Sequence, residues 1–61
     1  MEHKSAFECG KIKADRYLEN QKYINSITEY RKLLQSEENE KPQMVGAVWH
    51  NLGTAYARLF L

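Results

Sequence analysis

The sequence has too little cysteine, proline and glycine for a disulfide-stabilised or loop-rich fold. Its 61 residues include one cysteine, one proline and three glycines. The single cysteine cannot close an intramolecular disulfide, which agrees with a reducing compartment. A chain of this length buries only about 60% of the surface that its unfolded form exposes. We therefore expect a single small domain over residues 1–61, without an enclosed active site.

The sequence also lacks a strong net charge and a long apolar run. Nine Lys and Arg balance eight Asp and Glu to give a net charge of +1, which is not the basic footprint of a nucleic-acid or anionic-lipid binder. The apolar run at Leu59–Leu61 is far shorter than the roughly 20 residues of a membrane helix. The segment Met1–Ser5 has no apolar core of a signal peptide. These absences predict a cytoplasmic protein that binds neither membrane nor nucleic acid.

The first half of the chain reads as two helices. Ser5 and Glu8 form an S-x-x-E capping box, which predicts a first helix over about 6–20. Lys11 and Asp15 are spaced for an ion pair one turn apart. The buried face of this helix should consist of five residues, Phe7, Gly10, Ala14, Tyr17 and Leu18, with Ile12 off it. The small Gly10 and Ala14 would let a second helix approach closely.

The second helix is predicted over 23–35, after a short polar break at 20–22 that makes it antiparallel to the first. Ser26 and Glu29 offer a competing capping box. We prefer the start at Tyr23, because a start at Ser26 would leave Tyr23 and Ile24 in a loop. The predicted apolar stripe faces the first helix and leaves one edge for another contact. Its members are Tyr23, Ile24, Ile27, Tyr30, Leu33 and Leu34.

A third and more apolar helix is predicted over 43–61. The acidic, unpatterned stretch 36–41 reads as a solvated linker, and Pro42 suits the first turn of the helix that follows. The apolar residues are Val45, Val48, Trp49, Leu52, Tyr56, Leu59 and Phe60, widened by Met44 and three alanines. This stripe is too broad for two neighbouring helices to cover.

Within the third helix, residues 49–56 read W-x-x-L-G-x-x-Y. Trp49, Leu52, Gly53 and Tyr56 share one helix face, so two large side chains flank a notch at the glycine. The pattern resembles the first-helix signature of the tetratricopeptide repeat, a helix-turn-helix unit that stacks into scaffolds. The resemblance covers 6–61 as one full repeat plus the first helix of a second, and it implies an all-α fold, a fragment of a right-handed superhelix within a longer array.

The first copy of the signature is incomplete. A shift of 39 residues aligns Ala14 with Gly53 and Tyr17 with Tyr56, against a family period of 34. The linker 36–43 can hold the five extra residues. In the second helix the family expects small, aromatic and small residues where Ser26, Tyr30 and Leu33 stand, so Leu33 is larger than usual.

No constellation of residues suggests catalysis, a metal or another cofactor. Cys9, His3 and His50 are the only residues of their types, and they lack the spacing of a zinc site. Asp15 and Glu19 have basic neighbours and read as a solvated helix face. We therefore expect a protein that is not an enzyme.

The resemblance implies a protein or peptide partner in a groove between helices one and three. It places six predicted groove residues there: Lys11, Asp15, His50, Asn51, Thr54 and Arg58. Lys11 and Asn51 match the clamp that some family members use for the acidic tails of chaperones. Asp15 stands where that clamp has an asparagine and would repel a carboxylate, so we do not expect this ligand.

Two alternatives remain open. Because the sequence has no second helix to cover Leu52, Tyr56, Leu59 and Phe60, these four residues are a predicted assembly surface through which the chain would self-associate. Three helices in 61 residues also fit a helix-turn-helix domain. His50, Asn51, Thr54 and Arg58 are few groups for reading bases, which makes nucleic-acid binding the weaker alternative.

Overall fold

The computed structural model describes residues 5–36 and 42–61. The described chain forms three α-helices: α1 (Ala6–Glu19), α2 (Tyr23–Gln35) and α3 (Pro42–Phe60). The rest of these two segments is turn or short extended chain, with no strand. The predicted all-α class and the three predicted helices are therefore confirmed, while the predictions for 37–41 and for the N-terminal residues 1–4 lie outside the described residues.

Local hydrogen bonds fix both ends of α1. The Ser5 hydroxyl accepts from the Glu8 backbone amide at 3.1 Å, as the capping box predicts. At the other end, the amides of Gln21 and Lys22 donate to the carbonyls of Leu18 and Tyr17. This pattern is a Schellman motif, which requires a left-handed residue after the helix, and Gln21 has φ 63°.

We predict that Gln21→Gly stabilises the protein. Glutamine in the left-handed region is strained by its Cβ, whereas glycine adopts it freely, so the free energy of unfolding should rise by up to about 1 kcal/mol. Urea denaturation followed by circular dichroism measures the change. Gln21→Ala should bring no gain, and equal stabilisation by both substitutions would contradict the explanation.

Small residues allow α1 and α2 to pack closely and antiparallel. A Cβ added to Gly10 would lie 2.5 Å from Cδ2 of Leu33. One turn further along α1, Ala14 is fully buried, and its carbonyl accepts from the buried Ser26 hydroxyl at 3.0 Å. The predicted close approach at Gly10 and Ala14 is confirmed. It also explains how this hairpin accommodates the large Leu33.

The contact between Gly10 and Leu33 predicts a thermodynamic coupling. Gly10→Ala adds about 1 kcal/mol of helix propensity but forces a methyl group against buried Leu33, at a typical cost of 1–3 kcal/mol. In a Leu33→Ala background the same substitution meets open space. A double-mutant cycle by urea denaturation should therefore give a coupling of about 1 kcal/mol or more. Gly53→Ala, where the Cβ has no neighbour within 4 Å in the single chain, is the control and should stabilise the chain at concentrations where it is monomeric.

α3 packs against α2 and completes the core. Val48, Leu52 and Ala55 are its buried residues, and they join Phe7, Ala14, Ile27, Tyr30 and Leu33. The start of α2 at Tyr23, rather than at Ser26, is confirmed. Ile24, a member of the predicted apolar stripe of α2, is 66% exposed and lies at the edge of the stripe that α1 does not cover. Ile24 lies in the first turn of α2, beside Leu59 at the end of α3.

Candidate functional site

The carboxylate of Asp15 joins all three helices. Its Oδ2 accepts from Nζ of Lys11 at 2.8 Å, one turn back on α1. Its Oδ1 accepts from the Tyr30 hydroxyl of α2 and, at 3.0 Å, from Nδ2 of Asn51 on α3. We call these four residues the Asp15 cluster. The predicted ion pair of Lys11 with Asp15 is confirmed.

The cluster shifts the pKa values of both of its acids. Burial raises the pKa of Asp15, but hydrogen bonds from Lys11, Tyr30 and Asn51 and the charge of Lys11 outweigh it, so the pKa lies below the ordinary 3.8. Burial, followed by the hydrogen bond and negative charge of Asp15, raises the pKa of Tyr30 above 10.0. The cluster therefore favours an ionised Asp15 beside a neutral Tyr30.

These shifts predict a loss of stability at both extremes of pH. Ionised Asp15 stabilises the fold fully above about pH 3.8, and this contribution disappears as the pH falls through the lowered pKa. Neutral Tyr30 stabilises it fully below about pH 10.0, and this contribution disappears as the pH rises through the raised pKa. In a plot of the free energy of unfolding against pH, the acid limb is the fall in stability at low pH and the alkaline limb is the fall at high pH. The acid limb should be shallower for Asp15→Asn, and the alkaline limb should be shallower for Tyr30→Phe.

The exposed Glu19 offers a matched control for the acid limb. Glu19→Gln removes one carboxylate from α1 and leaves the hydrogen bonds of Asp15 in place, so the part of the acid limb that depends on these bonds should remain. If Glu19→Gln and Asp15→Asn flattened the acid limb equally, the Asp15 cluster would not be its origin.

The six predicted groove residues fall into two groups. Lys11 and Asn51 both donate to Asp15 within the Asp15 cluster. Of the others, Thr54 donates its hydroxyl to the His50 carbonyl at 3.1 Å, and His50 and Arg58 are exposed. The sequence does not predict Tyr30 for this group, because it indicates this residue only as part of the apolar stripe of α2. No spacing rule links residues 15 and 30.

The predicted assembly surface needs one correction. Leu52 is only 6% exposed and belongs to the core, so its expected place on the surface is wrong. It points between the helices because α3 turns its Val48, Leu52 and Ala55 side toward α2. Tyr56 and Leu59 are each 37% exposed and Phe60 78%. The rings of Tyr56 and Phe60 stack with centroids 6.4 Å apart.

The exposed side of α3 carries a regular row of apolar and small residues. We call it the α3 stripe, and its six members are all exposed: Pro42, Gly46, Trp49, Gly53, Tyr56 and Phe60. They follow one another at alternating intervals of four and three residues, so they share one helix face. Trp49 is 57% exposed. A Cβ added at Gly53 would have no neighbouring atom within 4 Å in the described structure, so the notch at this glycine is open.

A groove of about 510 Å³ runs beside the α3 stripe, between α2 and α3. Trp49 and Tyr56 form one wall, and Leu52 contributes to the lining. The opposite wall comes from α2, through Arg31, Leu34 and Gln35. The groove thus continues the apolar surface of the stripe, with one basic group at its margin.

A second recess, of about 670 Å³, lies on α1 and was not predicted. Its apolar lining comes from Cys9, Ile12 and Tyr17, with Lys13, Arg16 and Lys22 around it. The signal in the sequence was Ile12, an isoleucine that lies off the buried face of its helix. The thiol of Cys9 is free and exposed in this recess.

Two further kinds of site are absent from the described segments. Residues 5–36 and 42–61 contain no group of three or more His, Cys, Asp or Glu that could hold a metal ion. None of their helices has the length and apolar character needed to cross a membrane.

Comparisons with protein-family models, with curated proteins and with solved structures gave no match. The resemblance to the tetratricopeptide repeat therefore rests on the residues of the W-x-x-L-G-x-x-Y signature and on the helical hairpin that precedes it.

Proposed function

We propose that this chain is a non-catalytic protein-interaction module of the tetratricopeptide type, acting as a cytoplasmic scaffold. It binds a helix of a protein partner along the α3 stripe. The observation that carries the proposal is the exposure of Trp49, Tyr56 and Phe60 on one face of α3, beside the open notch at Gly53.

The composition of the stripe suits binding to a protein. Large aromatic side chains supply much of the binding energy at protein interfaces, and burying one that is half-exposed gains about 1–2 kcal/mol. A contiguous exposed apolar patch is uncommon on a soluble domain and typically marks an interaction site. Gly46 and Gly53 have open space at their Cα atoms, so a partner backbone can approach α3 closely.

A second candidate is the predicted peptide groove between α1 and α3. It is favoured by His50 and Arg58, two exposed side chains on α3, the helix that contributes Asn51 to the Asp15 cluster. Within that cluster Lys11 and Asn51 already donate to Asp15, which leaves fewer donors for a peptide. The α3 stripe is therefore the stronger candidate surface.

Peptide selection with charge substitutions distinguishes the two surfaces. A phage-displayed library of random peptides is selected on the immobilised chain, and enriched peptides are titrated in solution by fluorescence anisotropy. We expect Tyr56→Glu or Phe60→Glu to weaken binding at least about tenfold, since each places a charge in an apolar interface. Arg58→Glu should leave the affinity within about twofold.

Thr28→Glu, on the exposed side of α2, is the matched control for the added charge. The reverse ranking, with Arg58→Glu disruptive and the stripe variants silent, would support the groove between α1 and α3 instead. Failure of every variant to change peptide affinity would contradict both surfaces. Circular dichroism of each variant checks that the helices are retained.

A further inference from the structure

We infer that the partner of the α3 stripe is a second copy of this chain, whose α3 packs antiparallel to the first. This inference rests on the proposed function, since it names the occupant of the surface proposed there. The central observation is the order of large and small residues along the stripe.

The stripe follows a heptad pattern. Its intervals of four and three residues are those of the a and d positions of a coiled coil, with Gly46, Gly53 and Phe60 at a and Pro42, Trp49 and Tyr56 at d. α3 contains 19 residues, so the pattern spans about 28 Å of helix. A seam of this kind is completed by another helix that lies along it.

The seam is complementary to itself in the antiparallel direction. When two copies of α3 are related by a two-fold axis at the level of Asn51, each a position faces a d position of the other copy. Trp49 then faces the notch at Gly53, and Tyr56 faces Gly46. At the ends, Phe60 faces Pro42. Every glycine receives an aromatic ring, and the same patch serves both copies, as a two-fold interface requires.

A parallel arrangement of the same helices would pack poorly. It would place Trp49 against Trp49 and Tyr56 against Tyr56, while Gly46 and Gly53 would each face their own counterpart. The bulky pairs would hold the backbones apart, and the glycine pairs would leave voids that cost dispersion contacts. The alternation of glycine and aromatic residues therefore selects the antiparallel direction.

Charge does not oppose the association of two copies. α3 has no acidic residue, and its one arginine, Arg58, lies off the stripe. The macrodipoles of two antiparallel helices also place opposite partial charges side by side. Arg31 at the edge of the groove is exposed, so it can keep its charge in water while the apolar seam is buried.

Two complementary substitutions test the pairing of Trp49 with Gly53. Gly53→Trp makes each contact a pair of tryptophans, and Trp49→Ala makes each contact a pair of small residues. Each variant alone should dimerise at least about tenfold more weakly than the wild-type chain. Mixed in equal amounts, they restore a large residue opposite a small one at both contacts, so the mixture should dimerise about as well as the wild type.

The full chain is examined by analytical ultracentrifugation over a wide range of concentration. Trp49 is the only tryptophan of the wild-type chain, so its fluorescence should shift to shorter wavelength as the dimer forms. Thr28→Trp, which adds the same side chain on the exposed side of α2, should leave dimerisation unchanged. Both tested positions are exposed, and circular dichroism verifies that the variants fold.

Three results would overturn the inference: a wild-type chain that stays monomeric throughout, single variants that dimerise like the wild type, or a mixture that fails to recover. A mixture that dimerises far better than the wild type would indicate parallel helices and would also overturn it. If the wild type stays monomeric while Tyr56→Glu still weakens the selected peptides, the proposed function stands and only the second copy is rejected. If both tests fail, the α3 stripe is not a binding surface.

Discussion

The arrangement of the three helices depends on the Asp15 carboxylate. Within the described residues, its bond to Asn51 is the one side-chain hydrogen bond between α1 and α3. Its bond to Tyr30 joins α1 to α2, the helix that packs against both α1 and α3. Lys11 balances the charge that burial would otherwise penalise. Since Tyr30 is fully buried, loss of this acceptor would leave a phenol hydroxyl without its partner in the core.

The same network lies where the peptide groove between α1 and α3 is predicted. A carboxylate at position 15 draws Lys11 and Asn51 toward itself, so these residues brace the helices against each other. An asparagine in its place would carry no charge and would leave Lys11 without an ionic partner. The contacts that Asp15 makes thus explain why an aspartate rather than an asparagine stands at this position.

The sequence was sufficient to predict what depends on local spacing. The N-cap at Ser5, the start of α2 at Tyr23 and the ion pair of Lys11 with Asp15 all involve residues within a few positions of each other, and the structure contains them. The bonds of Asp15 to Tyr30 and Asn51 join residues 15 and 36 positions apart, so no helical period could indicate them. The same limit explains the misplaced Leu52. Periodicity defines the apolar side of a helix, but only the direction of the neighbouring helix decides which part of that side is buried.

α3 is where this distinction matters for function. Its apolar residues extend over more than half of its circumference, while α2 can cover only the side that holds Val48, Leu52 and Ala55. Burying those three residues rotates Trp49, Tyr56 and Phe60 outward together, because a helix cannot turn one residue without turning all of them. The exposed aromatic row is therefore a direct consequence of forming the core. Glycine at positions 46 and 53 lowers the helix propensity of α3 and fills no contact within the described structure. The presence of these two glycines is explained if they let another helix pack closely against α3.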